Sequence, residues 1–375
     1  MERIKQTLQD SNYDYYVYDL TELQNRLSWI TSVTKHDIYY AVKANSNLKI
    51  LETVAPYVSG FEVASPGEIE KVRSISKDIN IIYGGPVKTT KNLEYALNEH
   101  VKSIQVESLY ELDSLESLLR NSGQSIEVMI RINLSNIKST AKLKMAGVPT
   151  QFGMPKEDIE EAIQICKDTD NITLTGFHFH SMSNNLDEDA HVAFIERAIE
   201  FTNLYQSELP ENYSINVGGG IGIDYSEEKI FDFDYFATRI HHLPHLTFEL
   251  GRFITSPIGY YAANVFDIKT IHQETFILLN GGTNHFRFPK AWNHNQPYEI
   301  ITCEPSPNRR IKSVSDETVV FAGKLCTPND VFGQPYNIKH IQTGDWIVFK
   351  YAGSYGFDIS HLQFLSHELP IIKYI

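Results

Sequence analysis

Cysteine is scarce: Cys166, Cys303 and Cys326 are the only three in 375 residues, too few and too scattered for a disulfide framework or a thiolate zinc site. Any special cysteine here acts as a free thiol. Basic residues are also in short supply, 33 Lys and Arg against 47 Asp and Glu. The net charge of -14 leaves no broad basic surface, so neither nucleic acid nor a membrane is expected as a partner. Nowhere do about eighteen uncharged apolar residues run together, as a membrane span requires. The N-terminal MERIKQTLQDSNYDYY has no long apolar segment, and the protein reads as cytoplasmic. Internal repeats, low-complexity linkers and charge blocks are absent too, which favours domains that pack together over domains on a tether.

What the chain does have is alternation. Short β-branched runs occur at DIYYAVKAN (37–45), GFEVAS (60–65), INIIYGG (79–85), SIQVES (103–108), SIEVMIRIN (125–133), LTGFHFHSM (174–182), YSINVGGG (213–220) and HLTFEL (245–250). Between them PGEIEKVRSI (66–75), SLYELDSLESLLR (108–120), KEDIEEAIQICKD (156–168) and LDEDAHVAFIERAIEFTNLY (186–205) space apolar residues three and four apart and read as crossover helices. Eight such units predict an α/β fold, a (β/α)8 TIM-like barrel over residues 22–255 with its site at the C-terminal ends of the strands. An open doubly wound sheet is the alternative. After about Gly251 the helical period stops, and runs such as ETFILLN, ETVVFAG and DWIVFK predict a C-terminal all-β domain over 256–375, with residues 1–21 as a candidate addition to it.

Lys43, in YYAVKANSN, is a lysine at the end of an apolar strand. Alone it reads as a side chain snorkelling from a strand terminus. Its company points elsewhere. NVGGGIG, Asn216 to Gly222, follows the seventh strand, where barrels often hold phosphate and where glycines let backbone N–H groups close on an anion. Strand eight ends in FELGR, offering Glu249 for a ring nitrogen and Arg252 for a phosphate, or the two as a structural ion pair. FHFHSMS brings His178, His180, Ser181 and Ser183. The two histidines lack a neighbour at metal-ligand spacing, so packing or stacking on a flat ring is preferred and no metal is expected. In the β domain, KLCTPNDVF carries Cys326 and Asp330, and YAGSYG carries Tyr355; in isolation Cys326 and Tyr355 would be packing residues. A lysine for an imine, a glycine loop and arginine for a phosphate, an acid for a pyridine nitrogen and an imidazole to lie over a ring together describe pyridoxal 5′-phosphate.

The motifs YAVKAN, FEVAS, GFHFHS, NVGGGIG, ELGR, LCTPNDVF and AGSYG stand in one order along nearly the whole chain, which resembles the fold-type III pyridoxal-phosphate enzymes, specifically the ornithine/diaminopimelate/arginine decarboxylase family. The resemblance implies an alanine racemase-like pairing of barrel and β domain. It implies Lys43 as the Schiff-base lysine, His180 stacked on the ring and Glu249 on its nitrogen. Ser183, Gly219, Gly220, Arg252 and Tyr355 would hold the phosphate, with Glu62 and Arg131 near the cofactor. It further implies a homodimer with shared active sites, in which Cys326 and Asp330 reach the other subunit's cofactor and Cys326 returns a proton to the carbon left by carbon dioxide.

Two positions depart from the family pattern. Diamine-forming relatives often carry an Asp where this chain reads NGG at Asn280 to Gly282, and many carry an acid where it has Thr327. Arg287 and His285, in TNHFRFP, are candidates to meet a substrate carboxylate instead. FHFHSMSNNLD, GGTNHFRFP, CTPNDVF and AGSYGFDISHLQFLSH are similar to a narrower branch, the decarboxylases of staphyloferrin B-type siderophore biosynthesis, which implies a citryl-diaminopropionate-like, amino-acid-derived substrate. The alternative is an amino-acid racemase acting on an ornithine-like substrate to supply a siderophore pathway, with Lys43 and Cys326 as bases on opposite faces. A catalytically silent binding homologue is a third reading, and the retained cofactor residues stand against it.

Overall fold

The alternation of strands and amphipathic helices closes into a barrel in the computed structural model, which describes residues 1–134, 149–287, 294–304 and 310–375, and the backbone of 143–144. Its strands are β1 (Asp37–Ala41), β2 (Gly60–Val63), β3 (Ile81–Tyr83), β4 (Ser103–Val106), β5 (Ile126–Ile132), β6 (Ile172–Phe179), β7 (Ser214–Asn216) and β8 (Leu246–Leu250). Each pairs in parallel with the next, and β8 pairs with β1 to close the ring. The helices start where the sequence puts a cap. Ser65 Oγ accepts the Glu68 N–H ahead of Pro66, Thr89 caps the helix Thr90–Asn98, and Ser108 caps Leu109–Ser122.

Register is what assembles the strand ends. Opposite Arg131 on β5 stands His178 on β6, after a bulge between Val128 and Met129 that shifts the pairing. Opposite Glu249 on β8 stands Tyr39, and opposite Ala41 on β1 stands Glu62. Strand β1 is shorter than the run DIYYAVKAN predicts. It stops at Ala41, and Val42–Ala44 form one 3-10 turn with Val42 and Ala44 fully buried.

The barrel unit comprises Gln24–Ile223 and Ile230–Phe253. The second unit comprises Met1–Leu23, Asp224–Lys229 and Ile254–Ile375. Its sheet runs β9 (Gly259–Ile271), β10 (Glu274–Leu279), β11 (Tyr298–Ile301), β12 (Ser313–Ala322), β13 (Tyr336–Gln342), β14 (Trp346–Phe349) and β15 (Ile371–Tyr374) along the chain. The spatial order is β11-β14-β9-β10-β12-β13, antiparallel except for β10 with β12. The N-terminal strand Tyr15–Tyr18 joins this sheet, antiparallel to β9 and parallel to β15. No helix among the described residues is long and apolar enough to cross a membrane.

One histidine of the barrel core makes stability depend on pH. His191, on the helix Glu188–Asn203, has no exposed surface and meets Phe194, Phe231 and Phe236 edge-on. Its Nδ1 lies 3.4 Å from Asn185 Nδ2, and burial lowers its pKa to about 4. The unfolded chain, titrating near 6.5, takes up the proton first. The stabilising contribution of neutral His191 is therefore complete above that pH and is lost as the pH falls toward 4, by about 2 kcal/mol at pH 5. Denaturant melts at pH 7 and pH 5 should show a loss about 2 kcal/mol larger in the wild type than in His191→Phe; an equal loss in both would refute it.

Candidate active site

Lys43 projects from the 3-10 turn that follows β1, and its ammonium donates to both carboxylate oxygens of Glu62 on β2, at 2.9 and 2.7 Å. Glu62 is buried, whereas the Lys43 side chain keeps 40% of its surface. Close packing sets the turn beside the end of β8: a side chain on Gly251 would lie 2.7 Å from the Ala44 Cβ and 3.2 Å from the Ala41 Cβ. The next residue, Arg252, is buried and opens the short helix Arg252–Thr255. Arg131 and Glu107 form an ion pair buried on both sides, at 2.7 Å, with the guanidinium over the Phe152 ring at 4.9 Å. The other Glu107 oxygen accepts the Gly153 N–H at 2.8 Å.

Glu249 faces the barrel interior among three side chains. Gln105 Nε2 and Asn216 Nδ2 both donate to Oε1, at 2.5 and 2.8 Å. His178 Nε2 stands 3.5 Å from Oε2, longer than a good hydrogen bond. Burial alone would raise the Glu249 carboxyl, but His178, Lys43 and His180 outweigh it and hold it well below the usual carboxylate range. Glu249 is ionised. His180 shifts the opposite way in charge: desolvation, reinforced by the Arg131 and Lys43 charges, pushes its imidazole well below the usual value and keeps it neutral. Its Nδ1 accepts the Gly219 N–H at 3.1 Å, which fixes the ring.

The glycine run is built for close approach. A Cβ on Gly219 would lie 2.1 Å from the Glu249 carbonyl oxygen, and one on Gly218, at φ +65°, would lie 2.4 Å from His180 Nδ1. Ser183 belongs to the Met182–Asn185 segment that runs along the loop, where Asn185 N–H donates to Gly220 O and Gly222 N–H donates to Asn185 O. The structure thus brings Lys43, Glu62, Arg131, His180, Ser183, Gly219, Gly220, Glu249 and Arg252 to the C-terminal ends of the strands.

Five further candidates lie in the β unit. Cys326 is an exposed free thiol. Asp330 is buried and already engaged: Oδ1 accepts the Thr283 N–H and hydroxyl, and Oδ2 accepts the Leu325 N–H. Its carboxylate shapes the loop that carries Cys326. His285 is fully buried, its Nδ1 2.7 Å from Asp14, and Tyr261 donates to the same Asp14 oxygen; the structure gives this ring no surface open to substrate. Arg287 is exposed, with Nη1 3.4 Å from the Ile359 carbonyl and its N–H on Ser360 Oγ; 288 and 289, the end of its motif, lie outside the described residues. Tyr355 is half-buried with φ 56°.

Sequence reasoning passed over Gln105, Glu107 and Asn216. The first two alternate on a short barrel strand and its end, and polar residues at i and i+2 amid apolar neighbours were the available signal. Side-chain atoms of His178, His180 and Glu249 also lie within 4.8 Å of one another, a grouping that could hold a metal ion and that the separated motifs conceal. The surroundings fit an organic ring better. His180 Nδ1 is spent on Gly219, and Glu249 Oε1 already takes two amide donors.

Barrel and strand-end chemistry together define a pyridoxal-phosphate enzyme. Comparison with known proteins narrows the class. A family model described as pyridoxal-dependent decarboxylase, pyridoxal binding domain, matches residues 20–256. The 2-[(L-alanin-3-ylcarbamoyl)methyl]-2-hydroxybutanedioate decarboxylase of Staphylococcus aureus is 42% identical, covering 96% of this chain and 94% of the relative. The L-glutamyl-[BtrI acyl-carrier protein] decarboxylase of Niallia circulans is 30% identical, covering 95% and 87%. Among solved structures, diaminopimelate decarboxylase from Helicobacter pylori, complexed with L-lysine, superposes with a TM-score of 0.84 at 25% identity, covering 100% of this chain and 93% of that one. The chain belongs to the pyridoxal-dependent decarboxylases, and its cofactor is pyridoxal 5′-phosphate. These relatives are all decarboxylases, and the racemase alternative finds no support among them.

Proposed function

We propose that this enzyme decarboxylates the amide of citrate with L-2,3-diaminopropionate, a siderophore intermediate, in the cytoplasm and as a homodimer with shared sites. The observation that carries the reading is the 42% identity, over nearly the full length of both chains, to a relative named for that substrate. The β unit supports it. A side chain on Gly281 would lie 2.0 Å from the Tyr261 hydroxyl, so the acid that diamine-forming relatives carry in this stretch has no room here. Asn280 is spent on the chain, donating to the Ser11 and Tyr13 carbonyls and accepting from Asn264. The exposed Arg287 guanidinium suits a citryl carboxylate.

When bound, pyridoxal phosphate would supply the electron sink for the bond to the substrate carboxylate. Lys43 carries the cofactor between turnovers, and Glu62 holds its amine in place. Ser183, Gly220, Arg252 and Tyr355 take the phosphate, with Gly219 orienting His180, whose neutral ring gives a flat surface to lie against the cofactor. Ionised Glu249 keeps a proton on the ring nitrogen, and Arg131, fixed by Glu107, stands close by. Cys326 of the partner subunit donates the proton to Cα, on a loop shaped by Asp330.

Two measurements test this reading. Carbon dioxide release should be faster with the citryl amide than with meso-diaminopimelate or L-ornithine; the reverse ranking overturns the substrate. Cys326→Ala should lower kcat by about a hundredfold or more, in line with loss of a general acid, and in D2O should scramble the stereochemistry of deuterium at the product carbon. Unchanged rate and product would remove Cys326 from the reaction.

A further inference from the structure

Glu249 is held more tightly than charge pairing alone requires. Oε1 receives both amide donors, from Gln105 on β4 and Asn216 on β7, while Oε2 stands 3.5 Å from His178 Nε2 and takes neither amide. The orientation of Asn216 is set independently, because its Oδ1 accepts the Gly218 N–H at 2.8 Å and so turns Nδ2 toward Glu249. Room for Gln105 is also built in. The residue is 1% exposed, and a Cβ on Gly84 would lie 2.5 Å from Gln105 Oε1. Neither amide carries a charge, so their hold on the carboxylate adds to that of the charged neighbour, Lys43.

We propose that Gln105 and Asn216 are positioning residues for the decarboxylation: their amide N–H groups fix Oε1 of Glu249 and leave Oε2 as the oxygen presented to the ring nitrogen of the cofactor. Two fixed donors cost no reorganisation during the reaction and stop the carboxylate from rotating or taking up a proton. Losing Gln105 frees the carboxylate to turn and weakens its hold on the ring proton, which affects the chemical step more than substrate binding. The inference rests on the assignment of Glu249 as the ring-nitrogen partner.

The test uses holoenzyme loaded with cofactor labelled with 15N in the ring, followed by NMR from pH 6 to 9 in wild type, Gln105→Leu, Gly84→Ala and Glu249→Gln. Gly84→Ala displaces Gln105 by crowding and serves if the leucine variant folds poorly. The expected result is a protonated ring nitrogen throughout this range in wild type, a proton lost at lower pH in Gln105→Leu and Gly84→Ala, and none in Glu249→Gln. Turnover in Gln105→Leu should fall about ten- to a hundredfold with KM changed less than about threefold. A wild-type signal and kcat in both Gln105→Leu and Gly84→Ala, with the proton absent from Glu249→Gln, overturns the inference and leaves the Glu249 assignment standing. A ring nitrogen still protonated in Glu249→Gln overturns that assignment and the inference with it.

Discussion

Lys43→Ala should abolish the visible absorbance of lysine-bound cofactor and reduce carbon dioxide release by at least about three orders of magnitude, the scale on which loss of a covalent catalytic group acts. The substitution leaves the turn intact, because the flanking Val42 and Ala44 supply its buried contacts and the Lys43 side chain is 40% exposed. It does strand the buried Glu62 carboxylate, which loses the donor 2.7 Å away. That should cost about 1–3 kcal/mol. Lys43→Arg separates the two effects, since a guanidinium can still pair with Glu62 but cannot form the covalent bond. The arginine variant should therefore melt near wild type and remain inactive. Borohydride reduction and peptide mapping provide the direct check, with the pyridoxyl group on the Lys43 peptide in wild type and on none in either variant. A visible band and turnover in Lys43→Ala would remove Lys43 from the mechanism.

Gly219→Ala should weaken cofactor binding by about a hundredfold or more and lower the melting temperature. The reason is geometric, since the added Cβ would sit 2.1 Å from the backbone oxygen of Glu249, and backbone cannot swing aside as a long side chain can. Either the glycine loop lifts or the end of β8 moves. Lifting the loop pulls the Gly219 N–H from His180 Nδ1, and moving β8 displaces Glu249 and the turn to Arg252. Overpacking of this kind typically costs about 1–3 kcal/mol, and here the strain falls on the groups meant to hold the cofactor. Equilibrium titration of apoenzyme with pyridoxal phosphate and a thermal melt read the two consequences. Wild-type affinity and melting temperature together would show that the approach is not as close as described.

The sequence makes the barrel legible because hydrophobic period separates strand from helix, and because lysine, glutamate, arginine and a glycine run stand at strand ends where nothing in a core needs them. It carries less about what surrounds those groups. The register across the bulge in β5 places Arg131 opposite His178, and no local pattern encodes that pairing. Gln105 meets Glu249 from across the ring and Asn216 meets it from the adjacent strand, at sequence separations of 144 and 33 residues, a distance no motif spans. Asp330 and His285 show the converse: a charged or titratable residue in a family motif suggests substrate contact, yet one carboxylate is taken up by Thr283 and Leu325 and the imidazole is sealed against Asp14. The end of β1 is hidden for a similar reason. The apolar run continues past Ala41, but the chain leaves the ladder there and turns, which is what carries Lys43 out of the strand.

The most direct test of the central claim is to incubate purified holoenzyme with the citrate amide of L-2,3-diaminopropionate and identify the product by mass spectrometry while carbon dioxide is counted. The account predicts one carbon dioxide per product molecule and a product that is the 2-aminoethyl amide of citrate. Substrate recovered at unchanged mass with its amino-acid centre inverted, or no carbon dioxide from this amide while diaminopimelate or ornithine releases it readily, would contradict it.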